Sequence, residues 1–281
     1  MDDFNIAIVG LGLIGGSIAL KLKELGYKNV FGVDIDKETL KKASKKGIIN
    51  IGKEESLKVA DIVIICLYPE DTINFIKDNR MIFKKNTFIT DVSGVKNNIY
   101  NEMKDVLSND KLFITGHPMA GREKGGFNSA ISNLFEGANY LIVNNEKIID
   151  HRLENFKKII KNLGVNIVEV DEKTHDKMIA LTSQVPHILA SILTRINTFE
   201  DTKNYVGNSF DEMTRISLIN EKLWAELFIS NKNYLKIFLN DIGKEINEIT
   251  NMLENSDKDS LEKMLLNTRV KREEYLNSWK N

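Results

Sequence analysis

The chain has 281 residues, 42% hydrophobic and 28% charged, enough apolar material for the core of one large or two modest domains. Its formal net charge is −1, with Lys and Arg scattered rather than banded, so nothing in it marks a nucleic-acid or anionic-membrane surface. One cysteine, Cys66, excludes a disulfide framework and fits a reducing cytosol, and no stretch approaches the roughly 20 apolar residues of a membrane span.

The acidic start Met1-Asp-Asp-Phe passes directly into a strand, Asn5–Gly10, and does not read as a signal peptide. The strand runs into Gly10-Leu11-Gly12-Leu13-Ile14-Gly15 and an amphipathic helix over Ile14–Leu25. This is the dinucleotide fingerprint in its required setting: Gly10 for the tight turn, Gly12 for close approach of a pyrophosphate, Gly15 for helix–strand packing. Free N–H groups at the helix start face the phosphate charge. A second strand, Val30–Asp34, ends on an acidic residue 19 positions after Gly15. A carboxylate there suits the ribose hydroxyls of NAD and repels the 2′-phosphate of NADP.

Further strands are expected at Ile62–Leu67, Phe88–Asp91, Leu112–Thr115, Tyr140–Val143 and Asn166–Val170, with helices at Lys37–Lys46, Asp71–Asn79, Asn97–Leu107 and Arg152–Leu163. That alternation implies βαβ units around a parallel sheet. After Asp171 the texture changes to long helical periods, above all Leu218–Thr250 and Ser260–Asn277. The fold class is therefore an α/β Rossmann-type N-terminal domain, 1–171, plus an all-α domain, 172–281. The helical pattern is too elongated to bury every apolar stripe on itself, so a homodimer is expected.

Substrate chemistry must come from polar groups near the nicotinamide. His117 lies in the glycine-rich segment Thr115–Gly126 after the fifth strand, read as a loop, where a near-neutral imidazole could take a proton from a hydroxyl as hydride leaves. Ser93 follows the fourth strand, on the ligand side of such a sheet; it could also simply cap the next helix. His187 sits with Ser183 and Gln184 in an apolar helix, where polar groups are costly unless they face a ligand or one another. Arg215, read near the start of a long helix, suits a bidentate grip on a carboxylate. His151 reads as solvated, and His175, beside Asp176, as capping or orienting the helix that leads to His187.

Together these motifs resemble the TyrA family of prephenate and arogenate dehydrogenases over nearly the whole chain. The ordered set is Gly10–Ser17, Asp91-Val-Ser-Gly-Val-Lys96, Gly116-His-Pro-Met-Ala-Gly121, Ser183-x-x-Pro-His187, Thr214-Arg-Ile-Ser217 and Trp224. The resemblance implies that His117 accepts the substrate hydroxyl's hydrogen bond, assisted by Ser93. It implies that His187 and Arg215 hold the substrate's carboxylates and ring, and that Glu123 lies at the pocket rim. Gln184 stands where the family often has histidine, so it is expected at the substrate; Arg122 and Gly125 also depart from the family's small hydroxyl residues. The implied activity is NAD-dependent oxidation and decarboxylation of prephenate in tyrosine biosynthesis, cytoplasmic, with no metal, membrane or nucleic-acid partner. Arogenate dehydrogenase is the alternative, and a non-catalytic NAD-binding regulator the distant one. A β-hydroxyacid dehydrogenase is disfavoured, because no lysine of the helical part sits in a comparable motif. With no segment matching an ACT or chorismate mutase domain, a monofunctional enzyme is expected, and any tyrosine inhibition would act by mimicry at the substrate pocket.

Overall fold

The computed structural model describes residues 4–103, 106–122, 124–144 and 146–278. The first half alternates strands and helices: β1 Ile6–Val9, α1 Leu13–Glu24, β2 Val30–Val33, α2 Lys37–Ser44, α3 Lys53–Val59, β3 Ile62–Ile65, α4 Pro69–Asn79, β4 Phe88–Asp91 and α5 Asn97–Met103. β5 Leu112–Phe113, β6 Thr115–Pro118, β7 Asn139–Val143, α6 His151–Lys161 and β8 Asn166–Val170 complete it. The strands β1 to β4 are buried at every position, as expected of a parallel sheet covered on both faces.

That sheet has the order β2-β1-β3-β4-β5 and is parallel throughout. The order reverses beside β1, and this switch point is where ligands bind in open α/β sheets. A second sheet, β6-β7-β8, pairs β6 antiparallel to β7 and β7 parallel to β8. The expected strand Leu112–Thr115 therefore divides. Ile114 N–H donates to Ile89 O (3.1 Å), the last backbone tie to the first sheet, and Thr115 then pairs with Val143 in the second. Two apolar clusters fill the faces, one including Leu22, Phe88, Phe135, Tyr140 and Phe156, the other including Val63, Ile76, Phe83 and Ile99.

The helical part comprises α7 Glu172–Ile179, a π-helical turn Ala180–Gln184, α8 Val185–Ile196, α9 Asn208–Arg215, α10 Glu221–Ser230, α11 Lys232–Glu254 and α12 Lys258–Ser278. Pro186 opens α8; lacking an N–H, it leaves the preceding turn to widen, and Val185 N–H reaches back to Ala180 O. The expected helix Leu218–Thr250 breaks between α10 and α11, and α3 was not expected at all. One compact unit ends at Lys232 and a second begins at Asn233. No described helix is long and apolar enough to cross a membrane.

Candidate active site

The glycine turn between β1 and α1 is built for a phosphate. Gly10 has φ +84°, and a Cβ there would stand 2.6 Å from the Cys66 carbonyl oxygen. At Gly15 a Cβ would fall 2.0 Å from the Gly10 carbonyl oxygen, so that residue fixes how closely helix and strand approach. Gly12 differs: nothing lies within 4 Å of a Cβ built there. It is the N-cap of α1 and brings no side-chain hydrogen bond to the helix start, whose N–H groups, near Leu13 and Ile14, suit a pyrophosphate. Asp34 ends the neighbouring strand, accepting from Leu11 N (2.7 Å) through Oδ2 and from Asp36 N (2.9 Å) through Oδ1. Those bonds hold a carboxylate beside the glycine turn. The residues present fit a dinucleotide.

His117 sits on a strand. Read as a loop residue, it is the third residue of β6, opposite Leu141, and the pairing with β7 holds its backbone in place. Its Nδ1 lies 2.9 Å from Nε2 of His175, and His175 Nδ1 lies 2.7 Å from Asp176 Oδ1. The buried Asp176 carboxylate is also held by Lys96 N (2.9 Å) and Asn97 N (2.8 Å), at the start of α5. This chain settles both tautomers. His175 donates from Nδ1 to the carboxylate, so its Nε2 is a lone pair; His117 then donates from Nδ1 and keeps Nε2 as an acceptor. Burial, reinforced by His175 and by the Lys96 ammonium, holds His117 well below the ordinary histidine range. The ring is a neutral base.

Ser93 stands two residues beyond β4, with its side chain toward the interior. It is buried, and its Oγ has no hydrogen-bond partner among the described residues. Its turn abuts the imidazole: a Cβ on Gly94 would lie 3.9 Å from His117 Cε1. A buried hydroxyl with spare donor and acceptor capacity beside a neutral base suits a reacting hydroxyl group.

The other wall comes from α8 and α10. His187 stacks on Trp224, ring centroids 3.8 Å apart, and donates from Nδ1 to Ser183 O (2.7 Å), which leaves Nε2 available. Leu227, one turn after Trp224, lies over Gly94. Glu226 accepts from Glu70 N (2.5 Å), and Asn220 donates to the Tyr68 hydroxyl (3.0 Å), so α10 also grips the segment after β3. One helix thus touches the His187 ring, the Ser93 turn and the rim of the nucleotide fold.

Arg215 is the last residue of α9, not the start of a long helix, and α9 packs on α8. Gln184, expected at the substrate, is found in an amide pair. It is buried, its Oε1 accepts from Asn231 Nδ2 (2.8 Å) and its Nε2 faces Leu227 O (3.4 Å). Its amide joins the π turn to the end of α10, because a buried amide takes the nearest partners that satisfy it. Glu123 lies outside the described residues. Sequence reasoning missed the depth of the His175–Asp176 support; the signal was an acid–histidine dipeptide in a helix that also had to serve something upstream.

The sequence matches the family profile described as prephenate dehydrogenase, nucleotide-binding domain, over residues 18–169, and that described as prephenate dehydrogenase, dimerization domain, over 171–267. The chain belongs to the prephenate dehydrogenase family. It is 30% identical to prephenate dehydrogenase of Bacillus subtilis over 92% of this chain and 72% of that protein. Among solved structures it resembles prephenate dehydrogenase from Aquifex aeolicus, crystallised with hydroxyphenyl propionate and NAD+, at 26% identity and TM-score 0.87, covering 98% of this chain and 99% of that one. Arogenate dehydrogenase of Synechocystis is also similar, at 25% identity and TM-score 0.81, covering 96% and 99%. Within the prephenate dehydrogenase fold, His117 lies against the Gly94 turn, which follows the carboxyl end of the parallel strand β4.

Proposed function

We propose that this chain is an NAD-dependent prephenate dehydrogenase that converts prephenate to 4-hydroxyphenylpyruvate, with His117 accepting the hydroxyl proton. The observation that carries the assignment of His117 is the ordered chain from Asp176 through His175, which leaves His117 Nε2 as a neutral acceptor. The Gly10–Gly15 turn and Asp34 hold the dinucleotide, which supplies a hydride acceptor when bound. Ser93 Oγ orients the substrate hydroxyl toward His117, and Arg215 with His187 fixes the carboxylate end. His117 takes the proton of the ring hydroxyl as the hydride would leave the carbon bearing that hydroxyl; loss of the ring carboxylate as CO₂ returns its electron pair to the ring, and the phenolate oxygen regains the proton from His117 to give an aromatic product. Because aromatisation drives the step, alignment of hydroxyl and carboxylate is the residues' main contribution.

The test is NADH formation, followed by absorbance, with prephenate and with arogenate in turn. Prephenate is expected to give the larger kcat/KM; an arogenate preference would move the substrate assignment to the alternative. Exchange of His117 for Asn is expected to lower kcat on the order of 10²–10⁴-fold with NAD binding intact. Near wild-type turnover would remove His117 from the mechanism.

The domain division at 171/172 fits the two family profiles, which meet there. A homodimer through the helical domain is supported by exposed apolar residues on α11 and α12, among them Ile237, Ile246, Leu253 and Leu265. Cytoplasmic residence follows from the biosynthetic role and the single cysteine.

A further inference from the structure

Beneath His117 lies an ion pair that the chemistry above does not use. Lys96 and Asp91 are both fully buried, with Nζ 2.8 Å from Oδ2. The same Oδ2 accepts from Ser93 N (2.8 Å), and Oδ1 accepts from the Thr115 hydroxyl. Thr115 and His117 are two residues apart on β6, so their side chains share a face. Asp91 therefore ties the Ser93 turn and the His117 strand to one point. Lys96 joins that point to the other carboxylate: its side chain goes to Asp91, while its backbone N–H donates to Asp176 Oδ1, the oxygen that His175 also uses.

Such a pair is a poor stability device. Removing two charges from water costs several kcal/mol per ion, and apolar replacements of similar volume are often neutral or stabilising. A buried ammonium beside two imidazoles has an electrostatic consequence that packing alone would not require.

We propose that Lys96 and Asp91 are positioning residues for the candidate base, a buried cation–carboxylate pair that aligns Ser93 with His117 and tunes the local potential at the imidazole. This rests on the reading of His117 as the proton acceptor. The charged or titratable groups that act on His117 are His175 from α7 and Lys96 from the turn after β4, and His175 in turn faces Asp176, Lys96 and Asp91. Burial does most to keep both imidazoles neutral; Lys96 adds to that at each of them, and Asp91 opposes it at His175, so the pair tunes the potential that burial sets.

The experiment titrates the His117 ring by NMR in the ligand-free full-length chain, assigned through His117→Asn, and records the acid limb of kcat/KM beside it. Lys96→Met, which leaves Asp91 uncompensated, is expected to raise the His117 transition by about one pH unit. Asp91→Asn, which leaves the cation alone, is expected to lower it. Asp91→Asn combined with Lys96→Met restores neutrality and should return the transition close to wild type, the acid limb moving with it. A structural role alone would change the melting temperature without these opposed shifts. An unmoved transition in Lys96→Met, or a double variant that stays displaced, overturns the proposal. Should Lys96→Met not fold, Asp91→Asn and the double variant carry the same test. The titration needs no substrate; if the prephenate assignment failed, wild type would lack prephenate-dependent NADH formation while the ring still answered to Lys96.

Discussion

A histidine becomes a base by what it cannot do elsewhere. His117 has one nitrogen committed to His175, and His175 has its own committed to Asp176, so the free lone pair is placed by elimination. Substituting His175 by Phe would leave His117 free to choose its tautomer, and kcat is expected to fall on the order of tenfold or more while the NAD KM holds. Unchanged kcat would show that the ring is oriented by its strand alone. The pH dependence has a definite sign. In the proposed mechanism neutral imidazole is the active form, and burial, with His175 and Lys96, depresses its protonation, so kcat/KM should stay level through 6.5 and fall only below it. An acid limb at or above the ordinary value would contradict that environment. The same depression makes the fold lose stability as pH drops below 6.5, because unfolded imidazoles take protons that the buried rings refuse. Arg215→Ala is expected to raise the prephenate KM more than it lowers kcat, since the proposed grip is on the substrate's carboxylate and not on the reacting bond; an unaltered KM would place that guanidinium outside the pocket.

Two glycines of one turn separate folding from binding. A methyl group on Gly15 would meet the Gly10 carbonyl at 2.0 Å, whereas one on Gly12 meets no protein atom. Gly15→Ala should therefore destabilise by on the order of 3 kcal/mol, read in thermal unfolding. Gly12→Ala should melt with wild type yet bind NAD far more weakly, read by cofactor titration, because its methyl occupies the path of the pyrophosphate. Equal NAD affinity in Gly12→Ala would mean the cofactor lies elsewhere. The helix pair α8 and α10 makes the same distinction on the proposed substrate side: Gln184 and Asn231 join the elements, while His187 stacks on Trp224 with only Nδ1 used, by Ser183 O.

At the scale of the molecule, the open question is what covers the helical surface. Residues such as Ile237, Ile246, Leu253, Leu265 and Tyr275 are each more than half exposed in the single chain. Water-facing apolar rows of this kind commonly belong to an interface. Sedimentation is expected to give twice the 32.0 kDa of one chain, and Ile246→Glu to shift the population toward monomer with a lower melting temperature. A monomeric wild type at micromolar concentration would leave those faces unexplained.

The Rossmann architecture, the glycine turn and the acidic residue after the second strand were legible along the chain, because each is a local pattern: a period of two, a glycine spacing, a carboxylate at a strand end. What the tertiary structure decided is everything that needs distance closed. Thr115 leaves one sheet for another, so His117 rides a strand instead of a loop. Gln184 turns to Asn231, 47 residues away, and Asp176 reaches Lys96 across 80. Buried polar groups take whichever partner the packing brings within 3 Å, and no sequence period records that choice.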